Sequence, residues 1–504
     1  MKKIFDLERL KQKIAKEKQK EKKIVLCHGV FDLIHIGHLK HFASAKKFGD
    51  ILVVTITEDV FINKGPGRPI FNSQLRAELI SSFKVVDYVA ISNNANAVKV
   101  ISTIKPDIYC KGLEYKKLND DVTENIKKEI KALKSVGGKI KYTDEIIFSS
   151  SNLINNSSNT FFNSKKNIGK HTGNYDIKGI NRLLSKIKKL KVLVIGEAII
   201  DQYQFCTALG KSGKEPMLVF NKNSKEQNFI GGSLAIAQNI SDYCSKVKIL
   251  SYVGEKLEYK KFIKDNLSKN ISFEYIKKKN SCTIVKKRYL DTASKTKIFG
   301  IYNINDSYLD INEENSFTKL LNKNISKYDL VLVSDYSHGL ISKKIAKIIC
   351  KKSKFLSLNA QINSSSIGYH TLSKYKKINL LVINEGELRQ EFRDKESNVK
   401  VLIKKLSRLN KIKIIVVTQG NNGSTLYENS KFYHCPAFAN KVVDKVGAGD
   451  SMLSLISIFA KSNKNHNLNL AIGSLAAADS IKNISNSSFF SKKKLLKNLS
   501  HMIK

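Results

Sequence analysis

His28-Gly29-Val30-Phe31-Asp32-Leu33-Ile34-His35-Ile36-Gly37-His38 decides how the N-terminal part of the chain is read. It follows the apolar run Ile24-Val25-Leu26-Cys27, a strand, and opens a helix. His35 and His38 are three residues apart, so on that helix they share a face. Gly37 removes a side chain where a phosphate could come close. The helix N-terminus adds N–H donors and partial positive charge, which suit an anion. Two imidazoles there can donate hydrogen bonds to phosphate oxygens as charge builds in a transition state.

Outward from this stretch, strands and helices alternate. Strands are predicted at Ile51–Ile56, Val85–Ile91 and Asp107–Cys110, and helices at Ser73–Phe83 and Ala95–Ile104. Such alternation predicts a parallel sheet covered by helices, with ligands at the first strand–helix turn. Residues 1–23 read as a charged helix, with Ile4, Leu7, Leu10 and Ile14 near helical spacing. The stretch from Asn152 to Lys170 is rich in Asn, Ser and Lys and reads as a linker, followed by a helix at Asp176–Leu190. A second α/β series starts at Lys191–Gly196, with strands near Leu330–Ser334, Phe355–Leu358, Leu380–Ile383 and Ile414–Thr418.

The second series carries Val442-Val443-Asp444-Lys445-Val446-Gly447-Ala448-Gly449-Asp450-Ser451, just before the apolar run Met452–Phe459. Small residues before a helix expose consecutive N–H groups, an anion hole for a transferring phosphoryl group. Asp450 is placed to accept a proton from an attacking hydroxyl.

The N-terminal motifs resemble the HxGH nucleotidylyltransferase superfamily, including the adenylyltransferase domain of bifunctional heptose-phosphate enzymes and glycerol-phosphate cytidylyltransferases. The likeness covers about residues 24–155. It rests on Gly29–Asp32, His35–His38, Lys64–Pro69, Gln74–Arg76, Lys105–Asp107 with Lys111-Gly112, and Phe148–Ser151. It implies a Rossmann-like domain in which His35 and His38 are catalytic. Gly29, Phe31, Gly37, Lys46, Lys64, Arg76, Ser149, Ser150 and Ser151 would bind nucleotide or phosphate. No carboxylate stands out as a Mg²⁺ ligand, although Asp32 lies beside the motif.

From about Lys191 onward the chain resembles the PfkB/ribokinase sugar kinases. Asn384-Glu385-Gly386-Glu387 matches their NxxE segment, which implies nucleotide and Mg²⁺ organisation by Asn384 and Glu387, the latter through water. Thr418 and Gly420 match the nucleotide-side turn, and Gly447, Ala448 and Gly449 the anion hole. Asp201, Gly231 and Gly232 match sugar-binding positions. Ser334–Gly339 resembles a strand of heptose-phosphate kinases. Two positions depart from the pattern: Ile236 stands where many relatives have Asn, and Asn359-Ala360-Gln361 where heptose kinases often have Asp-Pro-Lys. The basic clusters around Lys214 and Arg288 are candidates for a second phosphate on the sugar.

The expected organisation is therefore α/β throughout: a charged helix 1–23, a transferase domain 24–155, a linker with connecting helix 156–190 and a ribokinase-like domain 191–504. The pairing resembles the bifunctional heptose-phosphate kinase/adenylyltransferase with the domain order reversed. It implies ATP as substrate, Mg²⁺ as cofactor, and an ADP-heptose-type product for surface polysaccharide. A CDP- or other NDP-linked polyol or sugar is an alternative.

The 504 residues carry a net charge of +44, which raises a third reading, nucleic-acid binding on degenerate enzyme domains. The lysines are spread along the whole chain, without an arginine-rich stripe, so a solvated coat and no specific nucleic-acid partner are expected. No run of 18 apolar residues marks a membrane span. The charged N-terminus lacks a secretory h-region. Seven scattered cysteines without a CxxC argue against a disulfide framework and against a zinc site, and fit a reducing cytosol. The partners expected are a sugar phosphate and a nucleoside triphosphate, with a homodimer left open.

Overall fold

The computed structural model describes residues 3–62, 69–112, 125–143, 176–222, 226–362, 366, 372–439 and 442–503. The chain forms two compact units, one of residues 1–169 with 496–504 and the other of residues 170–495.

The first unit is built on six strands: β1 (Ile4–Phe5), β2 (Ile24–Gly29), β3 (Ile51–Thr57), β4 (Tyr88–Ser92), β5 (Ile108–Gly112) and β6 (Lys139–Thr143). They lie in the order β1-β4-β3-β2-β5-β6, and every pairing is parallel. Helices α1 (Leu7–Gln19), α2 (Ile36–Lys46), α3 (Ser73–Ser81), α4 (Val98–Ile104) and α5 (Asn125–Ser135) cover both faces. Strand alternation explains the two cores. Ile24 and Leu26 of β2 pack with Leu10, Ile14, Val100 and Ile101. Val25 and Cys27 pack on the other face with Phe42, Ala45, Ala77 and Ile80. The strand order turns back around β2, the switch point where such sheets open a ligand crevice.

Residues 1–23 are not a separate helix. β1 joins the sheet edge beside β4, and Asp6 caps α1 by accepting the Arg9 N–H at 2.8 Å. Leu10 and Ile14 are buried.

The second unit holds a nine-stranded sheet, ordered β12-β11-β7-β15-β16-β17-β18-β19-β20. Its strands are β7 (Lys191–Gly196), β11 (Lys246–Gly254), β12 (Ile271–Lys278), β15 (Leu330–Asp335), β16 (Leu356–Ala360), β17 (Leu380–Asn384), β18 (Ile414–Thr418), β19 (Ser424–Glu428) and β20 (Lys431–Cys435). Only the β18-β19-β20 edge is antiparallel. A five-stranded sheet is formed by β8 (Ala198–Lys211), β9 (Leu218–Lys222), β10 (Gln227–Gly232), β13 (Ile284–Asp291) and β14 (Lys297–Asn303). Helices follow as α6 (Ile177–Lys188), α7 (Ser233–Ser241), α8 (Lys260–Asn266), α9 (Ile311–Asn324), α10 (Lys343–Lys352), α11 (Glu385–Phe392), α12 (Val399–Asn410), α13 (Ala448–Ser462), α14 (His466–Ser480) and α15 (Lys492–Ile503). The helix expected at 176–190 thus belongs to the second unit, with Ile180, Leu184 and Ile187 buried.

Candidate active sites

In the first unit, the turn from β2 to α2 presents the histidine pair. His35 is the N-cap of α2, and its Nδ1 accepts the Gly37 N–H at 3.1 Å. His38 Nδ1 accepts the His35 N–H at 3.3 Å, which completes a capping box. An acceptor Nδ1 carries no proton, so both rings are in the Nε2–H tautomer. The rings lie 4.0 Å apart between centroids. Phe31 stands edge-on to His38 and adopts a left-handed φ of 45°, a strained backbone of the kind concentrated at functional turns. A Cβ at Gly29 would come within 3.0 Å of the Phe31 ring, so the glycine makes room for it.

Behind the turn sits buried His28. Its Nδ1 meets Thr55 Oγ1 at 2.9 Å, and its carbonyl accepts from Lys111 Nζ at 3.2 Å. Burial and the nearby Lys111 charge hold the His28 imidazole down at about 4, so it stays neutral. Asp32 is also buried, its Oδ1 accepting the Ile70 and Phe71 N–H groups at 2.6 and 3.2 Å.

Two expectations fail here. Arg76 is only 1% exposed. Its guanidinium is spent on the carbonyls of Phe71, Val30 and Thr57 and on Asp59 at 2.5 Å. It is a buried tie between loops rather than a phosphate ligand. Lys46 lies in the last turn of α2, roughly 15 Å from the capped end at 1.5 Å per residue. There it pairs with Asp87 at 2.5 Å and donates to the Asp50 carbonyl at 2.6 Å. Lys64, Ser149, Ser150 and Ser151 lie outside the described residues.

In the second unit, the site residues gather at the carboxyl ends of β7, β15, β17 and β18 and at the N-terminus of α13. Gly447 precedes α13 with φ 85°, and a Cβ there would meet Asn486 Oδ1 at 2.3 Å. Ala448 and Gly449 open the helix, and Asp450 stands in its first turn, 8% exposed. Burial pushes the Asp450 carboxyl up to about 6, the Asp201 charge adds to this, and the Tyr336 hydroxyl opposes it.

Asp201, near the start of β8, pairs with Arg288 of β13 at 2.6 Å. Gly231 is required by that carboxylate, because a Cβ would fall 2.3 Å from Asp201 Oδ2. Gly232 has φ 57° and would clash with the Glu197 carbonyl at 2.4 Å. Strand alternation splits the Lys286-Lys287-Arg288 cluster. Lys286 and Arg288 turn inward, where burial pulls the Lys286 amine down, while Lys287 pairs with Glu226. Lys214 does not join this group. It sits exposed beyond Lys211, roughly 30 Å along an extended strand from Asp201.

Asn384 and Glu387 form the capping box of α11: the Glu387 N–H reaches Asn384 Oδ1 at 2.8 Å, and Glu387 Oε2 accepts the Asn384 N–H at 3.0 Å. Burial, with the Asp450 charge behind it, lifts the Glu387 carboxyl to about 7. No lysine or arginine neutralises Glu387 among the described residues. A buried carboxylate repelled by a second one suits a divalent cation, so these residues fit Mg²⁺. Thr418 ends β18, and Gly420 follows at φ 56°.

The sequence reading gave no role to the network behind Asp450. Glu197 is fully buried and accepts the N–H groups of Tyr336 and His338 at 3.0 and 3.2 Å. Asp335 accepts the Tyr375 hydroxyl at 2.6 Å and pairs with Lys374 at 2.6 Å. Ser337 and Gly339 are left-handed, with φ 62° and 87°. This pinned turn aims the Tyr336 hydroxyl at Asp450. Ile236, the departure from the family pattern, is a buried core residue. Asn239, one helical turn on, reaches Ser451 Oγ at 3.3 Å instead.

Comparison with known proteins follows the same division. A family model described as cytidylyltransferase-like matches residues 26–162. One described as pfkB family carbohydrate kinase matches residues 189–490, more than half of the chain. The Bifunctional protein HldE of Campylobacter jejuni (strain RM1221) is 28% identical over 273 residues, 54% of this chain and 56% of that protein. Its counterpart in Campylobacter jejuni subsp. doylei is 42% identical over 101 residues, 20% of this chain and 22% of that protein. The matched region thus spans between about a fifth and just over half of these relatives' length. Phosphofructokinase-2 of Escherichia coli, at 14% identity and TM-score 0.51, aligns over 62% of this chain and all of its own, a likeness of fold. No helix among the described residues is long and apolar enough to cross a membrane.

Proposed function

The chain belongs to the pfkB family of carbohydrate kinases, and from that premise we propose a bifunctional enzyme that phosphorylates a sugar or sugar phosphate and joins a sugar phosphate to a nucleotide. In the kinase step the sugar hydroxyl oxygen attacks the γ-phosphorus of ATP, ADP leaves, and Asp450 takes the hydroxyl proton. The α13 N-terminus at Gly447, Ala448 and Gly449 faces the transferring phosphoryl group. Asp201 and Arg288 hold the sugar. Asn384 and Glu387 would hold Mg²⁺, which would supply neutralisation of phosphate charge when bound. The observation that carries this reading is the buried Asp450 at the head of α13, held by Tyr336 at 2.7 Å.

In the transferase step a sugar-phosphate oxygen attacks the α-phosphorus of a nucleoside triphosphate, and pyrophosphate leaves. The Nε2–H groups of His35 and His38 donate to the phosphate oxygens. The capped histidine pair and the cytidylyltransferase-like match support this half. The product we favour is an ADP-heptose-type nucleotide sugar for surface polysaccharide, made in the cytoplasm, with no specific nucleic-acid partner. The small sheet exposes Leu209, Leu218, Phe299 and Ile301, which supports a homodimer through that sheet.

The test offers the full-length chain Mg²⁺, ATP and CTP with a panel of sugars and sugar phosphates, and identifies products by mass. Phosphorylated sugar followed by ADP-linked sugar is expected. CDP-linked product alone would move the reading to the cytidylyl alternative. Transfer to no sugar would overturn it.

A further inference from the structure

Cys27 and Cys110 are far apart in sequence, yet β2 and β5 place them side by side as register partners. Both thiols point to the α2 face and are buried, at 0% and 1% exposure. His41 reaches the same place from α2, three residues after His38. One ligand-capable atom from each of Cys27, His41 and Cys110 lies within 4.8 Å of the others. The wide cysteine spacing that predicts no zinc site is thus undone by the fold, which makes neighbours of two strands that the sequence separates.

The donor set is selective. Two sulfurs and an imidazole suit zinc-like ions and not Mg²⁺ or Ca²⁺, which need oxygen. Phe42, Val54 and Ile108 pack in the same core. Thr143 Oγ1 lies 2.6 Å from His41 Nδ1, the kind of outer contact that fixes the orientation of a metal-binding imidazole.

We propose that Cys27, Cys110 and His41 form a binding site for one thiophilic divalent cation of the Zn²⁺ type, set against the inner side of α2. The thiols bind as thiolates and release their protons to solvent. Three protein ligands leave the fourth tetrahedral position to water or another donor. The ion ties β2, β5 and α2 together, and these elements carry His28, Lys111 and the His35–His38 pair. It therefore acts as a clamp on the transferase turn and is separate from the Mg²⁺ of phosphoryl chemistry.

The reduced full-length chain, stripped with chelator, is titrated with Co²⁺ and then with Zn²⁺ against a chromophoric competitor. One ion per chain is expected, with thiolate-to-cobalt charge-transfer absorption and tetrahedral visible bands. Cys27→Ser and Cys110→Ser should each weaken the charge-transfer band and the affinity, and Thr143→Val should cost about 10–100-fold in affinity. The urea unfolding transition of the first unit, followed in the same preparations, reports that each variant is folded. If a cysteine variant does not fold, the wild-type titration and Thr143→Val still decide. A reduced wild-type chain that takes up neither ion overturns the proposal, as does a bound ion indifferent to all three substitutions.

Discussion

The Tyr336 hydroxyl donates to Asp450 Oδ1 at 2.7 Å, and both groups are buried. This bond favours the charged carboxylate, against the burial that lifts its pKa to about 6. With Asp450 as the proposed base, kcat/KM for phosphorylation should fall on an acid limb near pH 6. Tyr336→Phe removes a stabiliser of the charged form, so the limb should move to higher pH. Hydrogen bonds to charged groups contribute about 1.5–3 kcal/mol, so turnover at pH 6 should drop by about ten-fold or more. Asp450→Asn should lose about 10²–10⁴-fold at every pH, with nucleotide binding retained. A Tyr336→Phe profile that overlays the wild type contradicts this role.

Gly231→Ala tests the sugar side. The added Cβ would stand 2.3 Å from Asp201 Oδ2 and push the carboxylate off Arg288. KM for the sugar should rise about 10–100-fold, the scale of one charged hydrogen bond, while KM for ATP holds. Equal rises in both would point to general misfolding instead.

Strands buried on both faces were the legible part of the fold. Ile414–Thr418 and Lys191–Gly196 coincide with their predicted bounds, because a continuous apolar run admits little else. The small sheet was not legible. Every residue of β14 is exposed, and β8 is buried only over its first nine residues, so no burial pattern marks them. The site divided in the same way. Asp450, His35 and the diglycine sit in short motifs whose geometry is local. Tyr336 and Glu197 depend on strands distant in sequence, and nothing near them announces their partner. Lys46 was assigned as a cation and Arg76 from its motif, and neither says which end of a helix or which side of a wall a cation occupies.

Those two cations yield a prediction. Arg76→Met strips a buried guanidinium from three carbonyls and Asp59, and should destabilise the first unit by about 3–5 kcal/mol in urea denaturation. Lys46→Ala, cutting a half-exposed pair, should cost at most about 1 kcal/mol and leave the KM for the nucleoside triphosphate unchanged. A large rise in that KM at unchanged stability would restore Lys46 as a phosphate ligand.

For the transferase, His35→Asn and His38→Asn should each cut nucleotidyl transfer by about 10²-fold or more, the scale of one lost transition-state donor. Kinase turnover should persist, because its residues lie in the other unit. Near-normal transfer in both variants would remove the histidine pair from the chemistry.

The capping box at α2 makes the histidines serve two tasks with one tautomer. The nitrogen that closes the helix end is the one that must stay bare, and this leaves the proton on Nε2, the nitrogen proposed to meet substrate. Burial pulls the His35 pKa below its usual value, so the neutral ring is the folded form. Its contribution to stability is full above the ordinary histidine range and is lost as pH falls through the lowered value. A proton on Nδ1 would take the place of the Gly37 N–H and set positive charge against the positive end of the helix. Acid therefore acts on this site as a competitor for a hydrogen bond. The turn unlatches before any catalytic donor is lost, and on acidification transferase activity and the order of the first turn of α2 should disappear together.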